Sequence, residues 1–302
     1  MNLKRLDLPA LVIGGPTASG KTEIALRVAE ACGGEIVGAD AFQIYEGLPV
    51  LTAQPEASEL GRVRHHLVGT VGLEDTMDVQ RYWGMAREAL RSVWERGRLP
   101  ILVGGTGLYV RTVLVGLAEG LPGPDPALRE ALEARSLESL CEELRCLDEV
   151  GAGRVDLKNR RRVVRALEVC LKTGRPFSSY RHEVRWGGGA MGIWVQWPRG
   201  DLRERIALRT GLMMERGVLE EVRRASPLCG ATARQVLGLE LLEAHLRGEM
   251  TLDDAMEGLV VATRQYAKRQ ETWFRREAAL LATGPEEAQD AALGLLRERG
   301  LM

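Results

Sequence analysis

Gly15-Pro16-Thr17-Ala18-Ser19-Gly20-Lys21-Thr22 brings together the residue types that hold a phosphorylated ligand. Glycines bound the run, and a lysine and a threonine close it. Glycine lets the backbone bend so that successive N–H groups turn inward and form an anion nest. A helix starting at the end of the loop adds partial positive charge, and the Lys21 ammonium adds a full one. The Thr22 hydroxyl is a ligand type suited to magnesium. Thr17, Ala18, Ser19, Gly20, Lys21 and Thr22 are therefore the candidate residues for a di- or triphosphate, with Thr22 the candidate ligand of a Mg2+ cofactor.

Other positions could add proton chemistry and charge. Asp40 follows the apolar run Glu35-Ile36-Val37-Gly38 and could take a proton from a substrate or orient a metal-bound water. Asp-Ala-Phe-Gln would equally suit a helix N-cap or a turn. Gln43 and Tyr45 follow and could face a ligand. Gly104-Gly105-Thr106-Gly107 offers glycines that let a ligand approach and a hydroxyl that donates or accepts, or else a simple turn with a threonine cap. Arg205 and Arg209 lie four apart on a predicted helix and could reach phosphate, or pair with Glu204 or Glu215.

The elements that position these residues follow from periodicity. Leu8–Ile13, Glu35–Gly38, Arg98–Val103 and Met191–Trp197 read as buried strands, and His65–Gly69 as a shorter one. Adjacent histidines on a strand face opposite ways, so His65 and His66 make no metal pair; a structural role, or contact with a polyanion, fits better. Glu23–Ala31, Asp78–Arg96 and Leu108–Val115 have helical spacing. Alternating strands and helices predict an α/β fold, a P-loop NTPase-like parallel sheet flanked by helices, with the loop, Asp40 and Thr106 on the carboxyl rim. Further on, Asp201-Leu202-Arg203-Glu204 predicts a capping box opening a helix through Met214. Thr251 caps a long helix to about Arg276, whose cations alternate with Tyr266, Trp273 and Phe274. That mixture suits RNA, and Trp273 and Phe274 suit a core. Residues 285–302 are expected to form a solvent-facing terminal helix.

Two glycine-rich breaks, Gly116–Asp125 and Gly187-Gly188-Gly189, frame a different composition. Ala127–Val150 is predicted helical and acidic, with seven acids against two arginines from Glu130 to Glu149. From Lys158 to Arg185 nine Lys or Arg face two acids, although the whole 302-residue chain carries a net charge of only −1. Arg161, Arg162 and Arg165 fall on a predicted helix, Asn159–Lys172, whose basic face suits a nucleic acid backbone or is simply solvated. The expected division is residues 1–120 with 190–302 as the catalytic core and 121–189 as a helical insertion domain binding RNA. The five scattered cysteines form no C-x-x-C pair and fit a reducing cytosol. No signal peptide or membrane-length apolar run is visible, so a cytoplasmic monomer without a membrane partner is expected.

Taken in order, the phosphate loop, Gly38–Tyr45, Arg64–Leu67, Gly104–Tyr109, Arg161–Glu168 and Thr263–Gln270 resemble the tRNA dimethylallyltransferase family (isopentenyl-pyrophosphate:tRNA transferases), over about residues 10 to 276. The resemblance implies transfer of a dimethylallyl group from dimethylallyl diphosphate to the exocyclic amine of the adenosine beside a tRNA anticodon. It implies Asp40 as the base, Thr106 at the reacting centre, and Arg205 or Arg209 on the departing diphosphate. It implies contact with the tRNA anticodon stem-loop at Asp40, Ala41, Phe42, Gln43, Thr106, Arg129, Arg161, Arg162, Val163, Val164, Arg165, Gln235 and Gly238. The chain departs from the family pattern at Ala41, where a serine is usual, at Gln54, where a lysine is usual, at Gly69, where an acid is usual, and at Leu239, where an aromatic is common. A small-molecule kinase shares the loop and acid but not the basic insertion. An adenylate isopentenyltransferase would differ in using free nucleotide, and an RNA-binding regulator would need no Asp40.

Overall fold

A computed structural model describes residues 10–116, 120–180 and 190–302. The start of the predicted first strand, the cations Arg181 and Arg185, and Gly187-Gly188-Gly189 lie outside the described residues. By internal contact the chain divides into two compact units, Met1–Gly116 with Trp186–Met302, and Leu117–Arg185.

In the first unit, β1 (Ala10–Gly14), β2 (Glu35–Gly38), β3 (His65–His66), β4 (Pro100–Gly104), β5 (Ala190–Val195) and β6 (Leu281–Thr283) form one sheet. Their spatial order is β3-β2-β4-β1-β5-β6, and every neighbouring pair is parallel. Parallel strands are covered on both faces, which is why β1 and β4 are buried along their whole length and read as unbroken apolar runs. Side chains alternate between two cores. Val12, Val37, Leu102 and Trp194 join one, and Leu11, Ile13, Ile101 and Ile193 the other.

Helices α1 (Lys21–Cys32), α2 (Ala57–Arg62), α3 (Val79–Glu95) and α4 (Gly107–Val115) connect the first strands. The inserted unit holds α5 (Pro126–Glu133), α6 (Leu137–Leu147), α7 (Glu149–Ala152) and α8 (Arg160–Thr173). The chain then returns through α9 (Arg199–Glu215), α10 (Val218–Ala225), α11 (Leu239–Leu246), α12 (Leu252–Phe274) and α13 (Ala288–Glu298). Tyr82 and Leu90 of α3, Val110 and Val113 of α4, and Leu259 and Phe274 of α12 cover the first face. Local signals set many of the ends. Asp78 accepts from the Gln80 and Arg81 amides to start α3, and Thr251 accepts from Asp254 N to start α12. β1, β4 and β2 are adjacent and parallel, so the phosphate loop, Thr106 and Asp40 all leave from the same carboxyl edge.

Several expectations need correcting. The terminal helix is not solvent-facing: Ala288, Ala292, Leu293 and Leu296 form a helical stripe that packs with Ala25, Leu26 and Ala29 of α1 on the second face. Ala127–Val150 is helical as expected and runs as three helices, because Ser136 and Asp148 turn their side chains onto following amides and start new ones. Asp201 does not cap α9. That helix begins at Arg199 after Pro198, and Asp201 sits in its first turn. All five cysteines are unpaired.

His66 is structural. Its Nε2 lies 2.7 Å from Glu35 Oε2, and Arg96 binds the same carboxylate through Nε at 3.0 Å and Nη2 at 2.6 Å. The Arg96 hydrogen bonds, aided by His66 and opposed by burial, hold the Glu35 carboxyl down at about 2. Glu35 stays charged in the fold well below its ordinary titration, so its stabilisation is present above its unfolded pKa of 4.5 and is lost as pH falls toward about 2. Glu35→Gln should cost about 2 kcal/mol at neutral pH, the order expected for hydrogen bonds to a charged group. In urea denaturation, the gap from wild type should close as pH falls from 4.5 to about 2.

Candidate active site

The loop after β1 is bent for anion binding. Gly15 and Gly20 have φ of 153° and 82°, and Ala18 is in the left-handed region at 64°. Gly20 immediately precedes α1, so the loop runs into a helix N-terminus. Trp197 Nε1 donates to Ser19 O at 2.9 Å, and Arg205 Nε donates to Ala18 O at 2.8 Å while its guanidinium stacks 4.4 Å from the Trp197 ring. Arg209 Nη2 donates to Thr17 Oγ1 at 2.6 Å. The helix arginines therefore go to the phosphate loop, and among the described residues neither pairs with Glu204 or Glu215.

Lys21 is only 8% exposed, and its Nζ reaches Pro16 O at 3.3 Å. Burial pushes its ammonium down to about 8, with Asp40 opposing and Arg209 assisting. Burial also lowers Arg209 to about 10, against the pull of Asp40. Arg209 Nε and Ser19 Oγ are buried without a hydrogen-bond partner. The Arg209 Nε donor beside the Lys21 ammonium suits an anion.

Asp40 stands at the carboxyl end of β2, 9% exposed. Its Oδ1 accepts from Phe42 N at 3.0 Å and Gln43 N at 3.4 Å, so it builds a turn as one alternative had it. The turn occupies one oxygen and leaves the other for a ligand. Thr106 Oγ1 accepts from Ala41 N at 2.9 Å and lies 3.5 Å from Tyr266 OH, so it braces the backbone next to Asp40. Thr17, Ala18, Gly20, Lys21, Thr22, Asp40, Phe42, Gln43, Arg205 and Arg209 line one cavity of about 350 Å³. Leu51, Met213, Val236 and Leu259 supply an apolar wall to the same cavity.

The second glycine run is not a ligand cradle. A Cβ at Gly104 would sit 2.0 Å from Ala39 O, at Gly105 2.1 Å from Gln270 Nε2, and at Gly107 2.1 Å from the Trp273 ring. These glycines make room for the protein's own backbone and for α12. Gln43, expected to face a ligand, donates through Nε2 to Ala53 O at 2.6 Å and to Thr52 O at 3.3 Å. Tyr45 turns away from the cavity, its OH 2.7 Å from Thr232 Oγ1. Two of the departures from the family pattern meet. Gln54 Nε2 donates to Gln43 O and Tyr45 O, and a Cβ at Gly69 would lie 3.1 Å from Gln54 Oε1. Leu239 is buried in the core. Gly238 starts α11 at φ 87°, where a Cβ would strike Leu259, and Gln235 Nε2 donates to Ala231 O at 3.3 Å.

In the inserted unit, the expected RNA contacts divide. Val163 and Val164 are core residues among Leu132, Leu140 and Leu144, so their side chains do not face a ligand. Glu168 is 0% exposed and binds Arg129 through Nε at 3.0 Å and Arg165 through Nη1 at 2.5 Å. Burial raises its carboxyl, but the Arg129 and Arg165 hydrogen bonds outweigh it and hold the group below its ordinary value. Arg165 also donates to Pro122 O at 2.6 Å. Arg129 and Arg165 thus stitch the unit together, whereas Arg161 and Arg162 expose their side chains.

Sequence reasoning missed the roles of Trp197 and Gln270 at the loop. Gln270 Oε1 accepts from Thr17 N at 2.8 Å across 253 positions, a separation no local pattern reports.

The fold and cavity define a P-loop α/β protein with a carboxylate beside its anion site. The sequence matches the IPP transferase family model over residues 43–277. A tRNA dimethylallyltransferase from Akkermansia muciniphila is 39% identical over 293 residues, covering 93% of this chain and 96% of the relative. A crystal structure of a tRNA isopentenylpyrophosphate transferase from Bacillus halodurans superposes with a TM-score of 0.69 at 31% identity, over 97% of this chain and 98% of that one. One from Staphylococcus epidermidis gives 0.70 at 27% identity, over 97% and 100%. The chain belongs to the IPP transferase family.

Because Lys21 loses its charge as pH rises through about 8, affinity for inorganic diphosphate should fall above that pH. The fall should approach about tenfold per pH unit relative to Lys21→Arg, which stays charged. Calorimetric titration of both proteins across that range checks it, and parallel profiles would contradict it.

Proposed function

We propose that the protein transfers a dimethylallyl group from dimethylallyl diphosphate to the exocyclic amine of the adenosine next to the anticodon in tRNA, releasing diphosphate. The observation that carries this is the placement of Asp40 in one cavity with Lys21, Arg205 and Arg209. Its relatives' names point to the same chemistry. The diphosphate lies on the loop amides, Lys21 and the arginines, with Arg209 Nε supplying an unused donor. The allylic tail lies against Leu51, Met213, Val236 and Leu259.

As the allylic C–O bond breaks, its electron pair moves onto diphosphate, and the cations stabilise that growing charge in place. The amine nitrogen forms the new bond to carbon and gives its proton to the unengaged oxygen of Asp40. Thr106 acts through Ala41 N, fixing the backbone beside that oxygen. An adenine in an anticodon loop must leave its stack to enter such a cavity.

Thr22 fits magnesium as a single hydroxyl at the cavity, and no cluster of three or more acids, histidines or cysteines among the described residues would hold a metal by itself. A magnesium ion would therefore be held by Thr22 together with diphosphate oxygens, and would neutralise charge on the leaving group. The inserted unit supplies the RNA-binding cations, Arg161 and Arg162 foremost.

The test is mass spectrometry of nucleosides after incubation with dimethylallyl diphosphate and unmodified tRNA. Wild type should yield prenylated adenosine, and adenosine monophosphate should not compete as acceptor. Asp40→Asn should lose about 100-fold or more in single-turnover rate, with tRNA affinity retained. Wild-type turnover in that variant, or prenylation of free nucleotide instead, would overturn the proposal. Arg161→Ala with Arg162→Ala should weaken tRNA binding and flatten its salt dependence by about two counterions, measured by filter binding across a salt series.

A further inference from the structure

Gly15–Thr22 binds an anion only in one shape, and α12 reaches into that shape from far along the chain. Gln270 is 4% exposed, and its Oε1 takes the Thr17 N–H. In a loop of this kind, inward N–H groups are the ligand's donors. Here the N–H of Thr17 is already spent on a protein side chain. The hydroxyl of the same residue accepts from Arg209, so Thr17 is tied at two points, one to α12 and one to α9.

The room for this amide is made by Gly105, where any Cβ would sit 2.1 Å from Gln270 Nε2. One turn earlier on the same face, Tyr266 OH lies 3.5 Å from Thr106 Oγ1, which holds Ala41 N beside Asp40. One turn later, Phe274 packs where Gly14 has no side chain, at the end of β1. A single helix face thus contacts the strand end, the phosphate loop and the Thr106 hydroxyl that holds the backbone after Asp40.

We propose that Gln270 is a positioning residue that fixes the phosphate loop by accepting the Thr17 N–H, so that α12 sets the affinity of the diphosphate site. This rests on the phosphate-loop reading given above. Gln270 touches no ligand itself; it acts by holding Thr17 and Ala18 in the bent state that the anion needs. The left-handed φ of 64° at Ala18 is a conformation alanine rarely adopts, so the loop needs outside restraint to keep it.

Gln270→Met keeps the volume and removes the acceptor. Calorimetry with inorganic diphosphate should show about tenfold weaker binding than wild type, with the thermal midpoint little changed and anticodon stem-loop affinity within about twofold. In turnover, KM for the allylic diphosphate should rise while kcat moves less. Gly105→Ala should weaken diphosphate binding by displacing the same amide, and adding it to Gln270→Met should cost less than the sum of the two losses. Gln270→Glu, which keeps an acceptor for the Thr17 N–H, should retain the protection of the Thr17 amide from exchange that Gln270→Met loses. Unchanged diphosphate affinity in Gln270→Met, or fully additive losses in the double variant, would overturn the inference while leaving the phosphate site standing. Failure of wild type to bind diphosphate at all would overturn both.

Discussion

A buried lysine and a half-buried arginine held beside one carboxylate dominate this protein. Lys21 and Arg209 share a cavity in which Asp40 is the one carboxylate that both feel. Desolvating the Lys21 ammonium and part of the Arg209 guanidinium is costly, and a single carboxylate does not offset both. The arrangement persists because the sheet and α9 hold it: Lys21 is the first residue of α1, and Arg209 is fixed to Thr17.

The rest of the first unit serves that imbalance. The strand order brings three loops to one edge, and each contributes a different kind of atom: backbone amides from the loop after β1, a carboxylate after β2, a hydroxyl after β4. Glycines at 104, 105 and 107 give up side chains so that the β2 loop and α12 can close over the site. The inserted unit uses its charge differently. Much of its arginine content is spent on Glu168 and on backbone carbonyls, through Arg129, Arg160 and Arg165. The excess of cations between Lys158 and Arg185 therefore overstates the number offered to a polyanion.

The phosphate loop, Asp40 and the alternating strands were legible because their signals are local. A glycine-bounded turn between a five-residue apolar strand and an amphipathic helix occupies one short window. The two arginines of α9 were legible as a pair, and their destination was left open between phosphate and acids. Long-range contacts were not legible. Nothing near Gln270 announces Thr17, and nothing near Gly105 distinguishes a space kept for a ligand from a space kept for an amide. The three-helix break of 126–152 was hidden because helical periodicity continues through Ser136 and Asp148, whose capping role depends on which amides they meet. α13 was misjudged because its charged residues mask an apolar stripe that only the second face of the sheet reveals.

Lys21 is a desolvated ammonium whose charge is weakened by burial. The direct measurement is the titration of its side-chain nitrogen by NMR, without and with inorganic diphosphate. The account predicts a midpoint near 8 in the unliganded protein and an upward move when diphosphate binds, since the ligand restores the missing negative charge. A midpoint at the ordinary value of 10.5 that ignores diphosphate would contradict it.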